Sequence, residues 1–317
     1  MIKNNTSISI VCPCFNEEEI LSSSIQTLLS LLEQLSKKGL IDIETSRILL
    51  VDDGSTDNTW KILKEYALSN KNINCLKLTR NFGHQKALLA GILNSNQDMV
   101  VTIDVDLQDD IHVIEKMIIK SYEGCEIVYG VKIDQSSEGA LKKIFSRGFY
   151  SLLSIFVPKA IPHHADFRLL TKRAVDSLKE FKEYNVYLRG IIPLLGYKSE
   201  IIEYAIKARS AGKTKYSFKK MISLALDGLT SFSLAPLRII GLLGFIVALF
   251  SIILTLYYLY EAVFTNNTVP GWASTVLPIY FLGAVQLISL GIISEYIGKL
   301  FLESKKRPNF LIEEHLD

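Results

Sequence analysis

The sequence predicts an α/β domain built on a mainly parallel sheet, followed by membrane-surface helices and two C-terminal membrane spans. Three observations predict this. Short β-like runs alternate with helical patterns over the first 130 residues, acidic motifs recur where those runs end, and two long uncharged apolar stretches lie toward the C-terminus. The chain has 317 residues, room for an α/β domain of about 200–250 residues and a smaller part besides.

Ser7–Cys14 reads as a buried strand, after which Ile20, Ile25, Leu28, Leu29, Leu32 and Leu35 recur at helical spacing. Strands over Arg47–Val51, Asn74–Leu78, Met99–Ile103 and Glu126–Val131 alternate with helices over Asp57–Leu68, His84–Leu93 and Ile111–Tyr122. Such alternation gives a mainly parallel sheet covered on both faces, which binds ligands beyond the C-terminal strand ends.

Residues 141–157 interleave Lys142, Lys143 and Arg147 with large apolar residues, the pattern of a basic amphipathic helix on a membrane surface. Tyr216–Leu234 is a second such candidate. The 22 residues from Ile239 to Tyr260 carry no charge, and a second uncharged stretch runs from Ala262 to Ser294. A bilayer core about 30 Å thick needs about 20 apolar helical residues, so both qualify as spans. Lys and Arg flank both ends of the pair, and the connecting loop, about Glu261–Thr275, has neither. The positive-inside rule then puts both termini and the N-terminal domain in the cytoplasm. No signal-peptide pattern opens the chain. The net charge of +2 gives no electrostatic case for nucleic acid. Cys12, Cys14, Cys75 and Cys125 lack metal-finger spacing and read as buried thiols.

Three strand-end motifs carry the chemistry. In Pro13-Cys14-Phe15-Asn16-Glu17, Pro13 stops the strand, and Asn16 and Glu17 either meet a base or ribose or start a helix. In Asp52-Asp53-Gly54-Ser55-Thr56-Asp57 the paired carboxylates either hold a base or hydroxyls, or form a turn and a cap. In Asp104-Val105-Asp106-Leu107-Gln108-Asp109, two carboxylates one residue apart can converge on a hard divalent cation that neutralises a diphosphate; the alternative is a solvated acidic loop.

Taken with Arg80-Asn81-Phe82-Gly83, Asp166-Phe167-Arg168-Leu169-Leu170, Arg209-Ser210-Ala211-Gly212-Lys213-Thr214-Lys215-Tyr216 and Ser294-Glu295-Tyr296-Ile297-Gly298-Lys299, these motifs resemble the family 2 glycosyltransferases. Within that family the chain is similar to the subgroup of dolichol-phosphate mannosyltransferase and the bactoprenol glucosyltransferases. Two departures stand out: Asp110 and Ile111 replace the usual prolines after Leu-Gln-Asp, and Phe15 replaces the usual Tyr. The resemblance implies a GT-A-type, Rossmann-like sheet. It divides the chain into a nucleotide-sugar half (1–140), an acceptor-side region (141–235), two spans at about 239–260 and 276–298 within 236–303, and a cytoplasmic tail (304–317).

It also implies roles. Pro13, Asn16, Glu17, Asp52, Asp53 and Arg80 line the nucleotide-sugar pocket, and Asp104, Asp106 and Gln108 bind Mg²⁺ or Mn²⁺ and the donor diphosphate. Asp166 stands where relatives keep a base or a sugar-facing acid; Asp106 and Arg209 complete the implied catalytic set. The acceptor is polyprenyl (undecaprenyl) phosphate, whose second pKa of about 6 leaves it already anionic and in need of cationic clamps. Candidates are Arg147, Arg209, Lys132, Arg168, Lys213 and Lys215, with Lys142 and Lys143 facing lipid head groups. His84 is read as a helix start.

The expected reaction is an inverting transfer from a nucleotide sugar, UDP-glucose by subgroup, at the cytoplasmic membrane. The expected partners are membrane lipids, a flippase and a downstream glycosyltransferase that uses the product; a homo-oligomer is compatible with the pattern. A processive polysaccharide synthase would need a Gln-x-x-Arg-Trp motif, which is absent, and a nucleotidyltransferase a Gly-rich basic loop where Cys14–Glu18 stands. A catalytically silent membrane scaffold is the remaining alternative.

Overall fold

The computed structural model describes residues 6–133, 164–183, 186–205, 235–260, 264 and 272–317. The amphipathic segments at 141–157 and 216–234, and with them Arg147, Arg209, Lys213 and Lys215, lie outside the described residues. The described residues fall into two compact units, one holding the sheet together with residues 307–317 and the other the long apolar helices.

The first unit follows the predicted alternation. Strands β1 (Ile8–Cys14), β2 (Arg47–Asp52), β3 (Ile73–Leu78), β4 (Met99–Thr102) and β5 (Ile127–Ile133) are separated by helices α1 (Leu21–Lys37), α2 (Thr59–Ser69), α3 (His84–Leu93) and α4 (Val113–Tyr122). Every residue of β1 is buried, which is what a central parallel strand covered on both faces requires. On α1 the buried Leu21, Ile25, Leu28, Leu32 and Leu35 fall at helical spacing and pack on the sheet. All four cysteines are buried and free.

The rest of the sheet departs from expectation. β6 (His164–Thr171), β7 (Ser199–Ala205) and β8 (Ile312–Leu316) complete an eight-stranded sheet in the order β7-β5-β6-β4-β1-β2-β3-β8. Both ends of the sheet bring in antiparallel pairs: β6 runs against β4 and β5 on one side, and β8 runs against β3 at the other edge. The sheet is mixed, not mainly parallel throughout. Residues 312–316, read as part of a tail, form an edge strand paired with β3 and flanked by the solvent-facing ion pairs Lys77–Glu313 at 3.1 Å and Lys64–Glu314 at 2.6 Å. Short helices α5 (Lys172–Leu178) and α6 (Leu188–Leu194) follow β6.

Pro13 does not end β1, which continues to Cys14. Val11 O accepts from Ile103 N on the β4 side, and Cys14 O from Asp53 N on the β2 side. Residue 13 shares the parity of residue 11, so its missing N–H falls on the β4 side, where pairing has already ended at Val11–Thr102.

The second unit contains α7 (Ala235–Tyr260) and α8 (Trp272–Ser304). Both expose large apolar side chains, among them Phe245 and Leu287, a surface that water does not favour. Among the described residues, one segment, Phe281–Ser304, is long and apolar enough by length and composition to cross a membrane.

Candidate active site

The C-terminal ends of β1, β2 and β4 lie side by side, and the loops beyond them are stitched together by side chains that accept backbone N–H groups. Asn16 takes a left-handed conformation, φ 55°, which an Asn tolerates. Its Oδ1 accepts from Thr56 N at 2.8 Å, and its own N–H donates to Ser55 Oγ. Glu17 N donates to Thr59 Oγ1. The first motif is thereby bound to the second; Asn16 joins loops and does not cap a helix.

Asp53 binds the second motif to the third loop. Its two oxygens accept from Phe82 N at 2.7 Å and Gly83 N at 2.9 Å. Burial raises its pKa, against the pull of these hydrogen bonds. Gly54 allows the approach: at φ +69° a Cβ would stand 2.5 Å from the carbonyl carbon of Arg80. Asp52 is fully buried; Oδ1 accepts from Ser55 N, while Oδ2 is enclosed without a hydrogen-bond donor. Burial is also what raises its pKa. Arg80 is exposed and stacks on Phe82, 4.1 Å from the ring centre.

The third motif sits beyond β4. Asp104 is half-exposed, but its Oδ1 is enclosed and accepts no hydrogen bond; His84 Nε2 stands 3.6 Å away. Burial raises the Asp104 pKa, helped by the carboxylates of Asp166, Asp109 and Asp106 and opposed by His84. Asp106 is exposed and accepts from Gln108 N. Leu107 between them has φ 47°, a strained value for a branched residue and one that clusters at functional sites. Asp109 is buried, paired with Lys132 at 2.9 Å and accepting from Tyr204 Oη at 2.7 Å. Among the described residues no three His, Cys, Asp or Glu side chains converge into a cage. A Mg²⁺ or Mn²⁺ ion held by one or two carboxylates, with substrate phosphates and water, needs no cage. The donorless Oδ1 of Asp104 and the exposed Asp106 fit that mode.

Asp166 is the hub of the site. It extends from β6 beside β4, and Thr102 Oγ1 donates to its carbonyl. Its Oδ1 accepts from Arg168 Nη2 at 2.6 Å and Arg189 Nε at 3.2 Å, and its Oδ2 from Gln85 Nε2 at 2.9 Å and Arg189 Nη2 at 3.0 Å. His84 Nε2 adds a contact at 3.3 Å. Burial works to raise the Asp166 pKa, but the His84 hydrogen bond and the two guanidiniums bring it well below the usual carboxylate range. The same partner raises His84: burial opposes its charge, and Asp166 and then Asp104 overcome that.

Several expectations change. Asp166, with two arginines on it, is a poor proton acceptor. Arg168 is buried at 1% exposure and belongs to Asp166, out of reach of an acceptor phosphate. Lys132 is engaged by Asp109. His84 does begin α3, and it also faces two site carboxylates. Gln85 and Arg189 were not singled out from the sequence. Arg189 had a legible signal: it is the lone charge in the apolar run Val186–Leu195.

Comparisons with known proteins give this edge a chemistry. The profile of glycosyl transferase family 2 matches residues 9–178, and one described as GtrB C-terminal hairpin matches residues 235–300. An uncharacterized glycosyltransferase, YkoT, of Bacillus subtilis (strain 168) is 44% identical over 315 residues, 99% of this chain and 93% of that protein. A prophage bactoprenol glucosyl transferase homolog of Escherichia coli (strain K12) is 38% identical over 96% of this chain and 98% of its own length. The bactoprenol glucosyl transferase of Shigella phage SfX shows the same identity and coverage. The strand-end carboxylates lie within the matched 9–178 stretch, which is more than half of the chain, and the relatives run alongside nearly all of it: the chain belongs to glycosyl transferase family 2.

Proposed function

We propose that the chain is a membrane-bound, inverting enzyme that moves a hexose, glucose from UDP-glucose foremost, onto polyprenyl phosphate at the cytoplasmic face. The observation that carries this reading is the likeness to proteins named bactoprenol glucosyl transferase, which extends over 96% of the chain and so takes in both the acidic sheet edge and the apolar helices.

The acceptor phosphate is already an oxyanion near neutral pH, its second pKa being about 6. It attacks the anomeric carbon from the face opposite the diphosphate; the new C–O bond forms as the old one breaks, UDP leaves, and no proton must be removed. The ion-paired Asp166 fits such a reaction, because nothing in it calls for a base. Asp104 and Asp106, with Gln108 beside them, are assigned to hold Mg²⁺ or Mn²⁺, which when bound supplies positive charge to the leaving diphosphate. Pro13, Asn16, Glu17, Asp52, Asp53 and Arg80 are assigned to the nucleotide pocket. Asp53 acts there through the 82–83 loop, since both its oxygens are engaged by that loop. Arg147, Arg209, Lys213 and Lys215 are assigned to the acceptor phosphate and anionic head groups.

Two crossings by α7 and α8 are favoured by the path of the chain. β7 and β8 belong to one sheet, so the chain between Ala205 and Ile312 starts and ends in the same domain. If either helix spans the bilayer, the number of crossings between them is even. The loop without Lys or Arg then lies outside. The product sugar-phosphate lipid must cross the membrane by way of another protein before a second transferase can use it.

Purified full-length protein incubated with Mn²⁺, polyprenyl phosphate and a panel of nucleotide sugars should yield a lipid product heavier by one hexose, foremost from UDP-glucose. Release of UDP with the lipid mass unchanged would reject the acceptor.

A further inference from the structure

Arg189 is missing from every motif that suggested the function, yet it lies against the centre of the site. It comes from α6, outside the 9–178 stretch shared with the family at large. Nε and Nη2 grip one oxygen each of Asp166, at 3.2 and 3.0 Å. A guanidinium has five N–H groups in a plane. Two are spent here, and the remaining three point away from Asp166. The side chain is 39% exposed, against 1% for Arg168, which pairs with Asp166 from within at 2.6 Å. Arg168 therefore matches the charge of Asp166 inside the protein, and Arg189 is a surplus cation on the open side. Gln85 fixes it further: its Nε2 donates to Asp166, and its Oε1 accepts from Leu188 N, the backbone just before Arg189.

An anionic acceptor approaching Asp104, Asp106 and Asp109 needs a cation close to them. Among the described residues, Lys132 is held by Asp109, Arg168 is buried, Arg80 lies on Phe82, and His84 is turned to Asp104 and Asp166. From this geometry we infer that Arg189 binds the phosphate of the lipid acceptor, with Asp166 as the anchor that aims its guanidinium. The inference rests on the proposed lipid-phosphate acceptor. It gives Asp166 a positioning role and Arg189 the contact with substrate, a planar fork being suited to phosphate oxygens.

Full-length wild type, Arg189→Ala and Arg189→Lys are compared in detergent by three measurements: transfer kinetics against varied polyprenyl phosphate, UDP affinity, and affinity for farnesyl phosphate beside farnesol. Loss of a charge-assisted hydrogen bond to phosphate corresponds to about ten- to hundred-fold. Arg189→Ala should raise the KM for polyprenyl phosphate by about that factor, keep UDP affinity, and shrink the wild-type preference for farnesyl phosphate over farnesol by about the same factor. Arg189→Lys, which keeps the charge without the fork, should fall between, and it carries the same readings if the alanine variant does not fold. An unchanged KM with the preference intact, or a parallel loss of UDP affinity, overturns the inference. If the wild type glycosylates no polyprenyl phosphate from any donor, the functional reading falls, while the farnesyl phosphate and farnesol comparison still judges Arg189.

Discussion

Replacing Asp166 by Asn tests the hub. The carboxylate is 5% exposed and accepts from Gln85, Arg168 and Arg189, with His84 at 3.3 Å. The neutral amide leaves the Arg168 guanidinium buried at 1% exposure without its counter-charge. Breaking a buried pair from one side costs about 3–5 kcal/mol. For a domain of this size each kcal/mol moves the midpoint by about 2–4 °C, so thermal unfolding should shift down by about 6–20 °C. Adding Arg168→Met to Asp166→Asn should restore most of the loss, because the stranded charge goes with it.

The sign with pH follows from the shifts. The Asp166 pKa is depressed in the folded state, so its contribution is complete above the ordinary carboxylate value of 3.8 and fades as pH falls through the folded value. The His84 pKa is raised, so its contribution is present below 6.5 and disappears as pH rises through the folded value. The wild-type advantage over Asp166→Asn should thus be largest between those two values and smaller in alkali. A loss below about 1 kcal/mol, typical of a surface change, would show that Asp166 does not neutralise a buried charge, as would a double variant no better than the single one.

Two further substitutions probe the scaffold of the site. Gly54→Ala forces a side chain into φ +69° and within 2.5 Å of Arg80, so it should destabilise by about 1–3 kcal/mol and weaken UDP binding as the 80–83 loop is pushed away; equal UDP affinity in a titration would contradict the packing. Deleting residues 308–317 removes β8 and bares the β3 edge, which should lower the melting temperature and promote aggregation, whereas Glu314→Ala, in a solvent-facing pair, should leave both nearly unchanged.

Much of this was legible in the sequence because hydrophobic period and strand-end chemistry agreed. Over residues 7–131 the expected elements match those found to within two residues, and His84–Leu93 matches at both ends. The strand ends correctly located Asp52, Asp53 and Asp104. What escaped has physical causes. β6 places Asp166 and Arg168 inside a buried strand, and an internal ion pair erases the apolar signature. β8 reads Ile-Glu-Glu-His-Leu, an exposed edge whose apolar content is slight. α6 is seven residues with Gly190 and Pro193 inside it, too short and too broken for periodicity. Composition shows Lys132 and Arg168 as cations but not the carboxylates they pair with. Asp109 is well separated from Lys132 in sequence and meets it only in the fold, whereas Asp166 stands two residues before Arg168 on the same buried strand and pairs with it there.

In the proposed reaction, carboxylates at the sheet edge would hold the donor diphosphate through a divalent cation. UDP affinity of the full-length protein, measured in excess chelator and again after Mn²⁺ is added, tests this most directly. Mn²⁺ should tighten UDP binding in the wild type and have no such effect in Asp104→Asn. Equally tight UDP binding in chelator, or an undiminished Mn²⁺ effect in the variant, would contradict it.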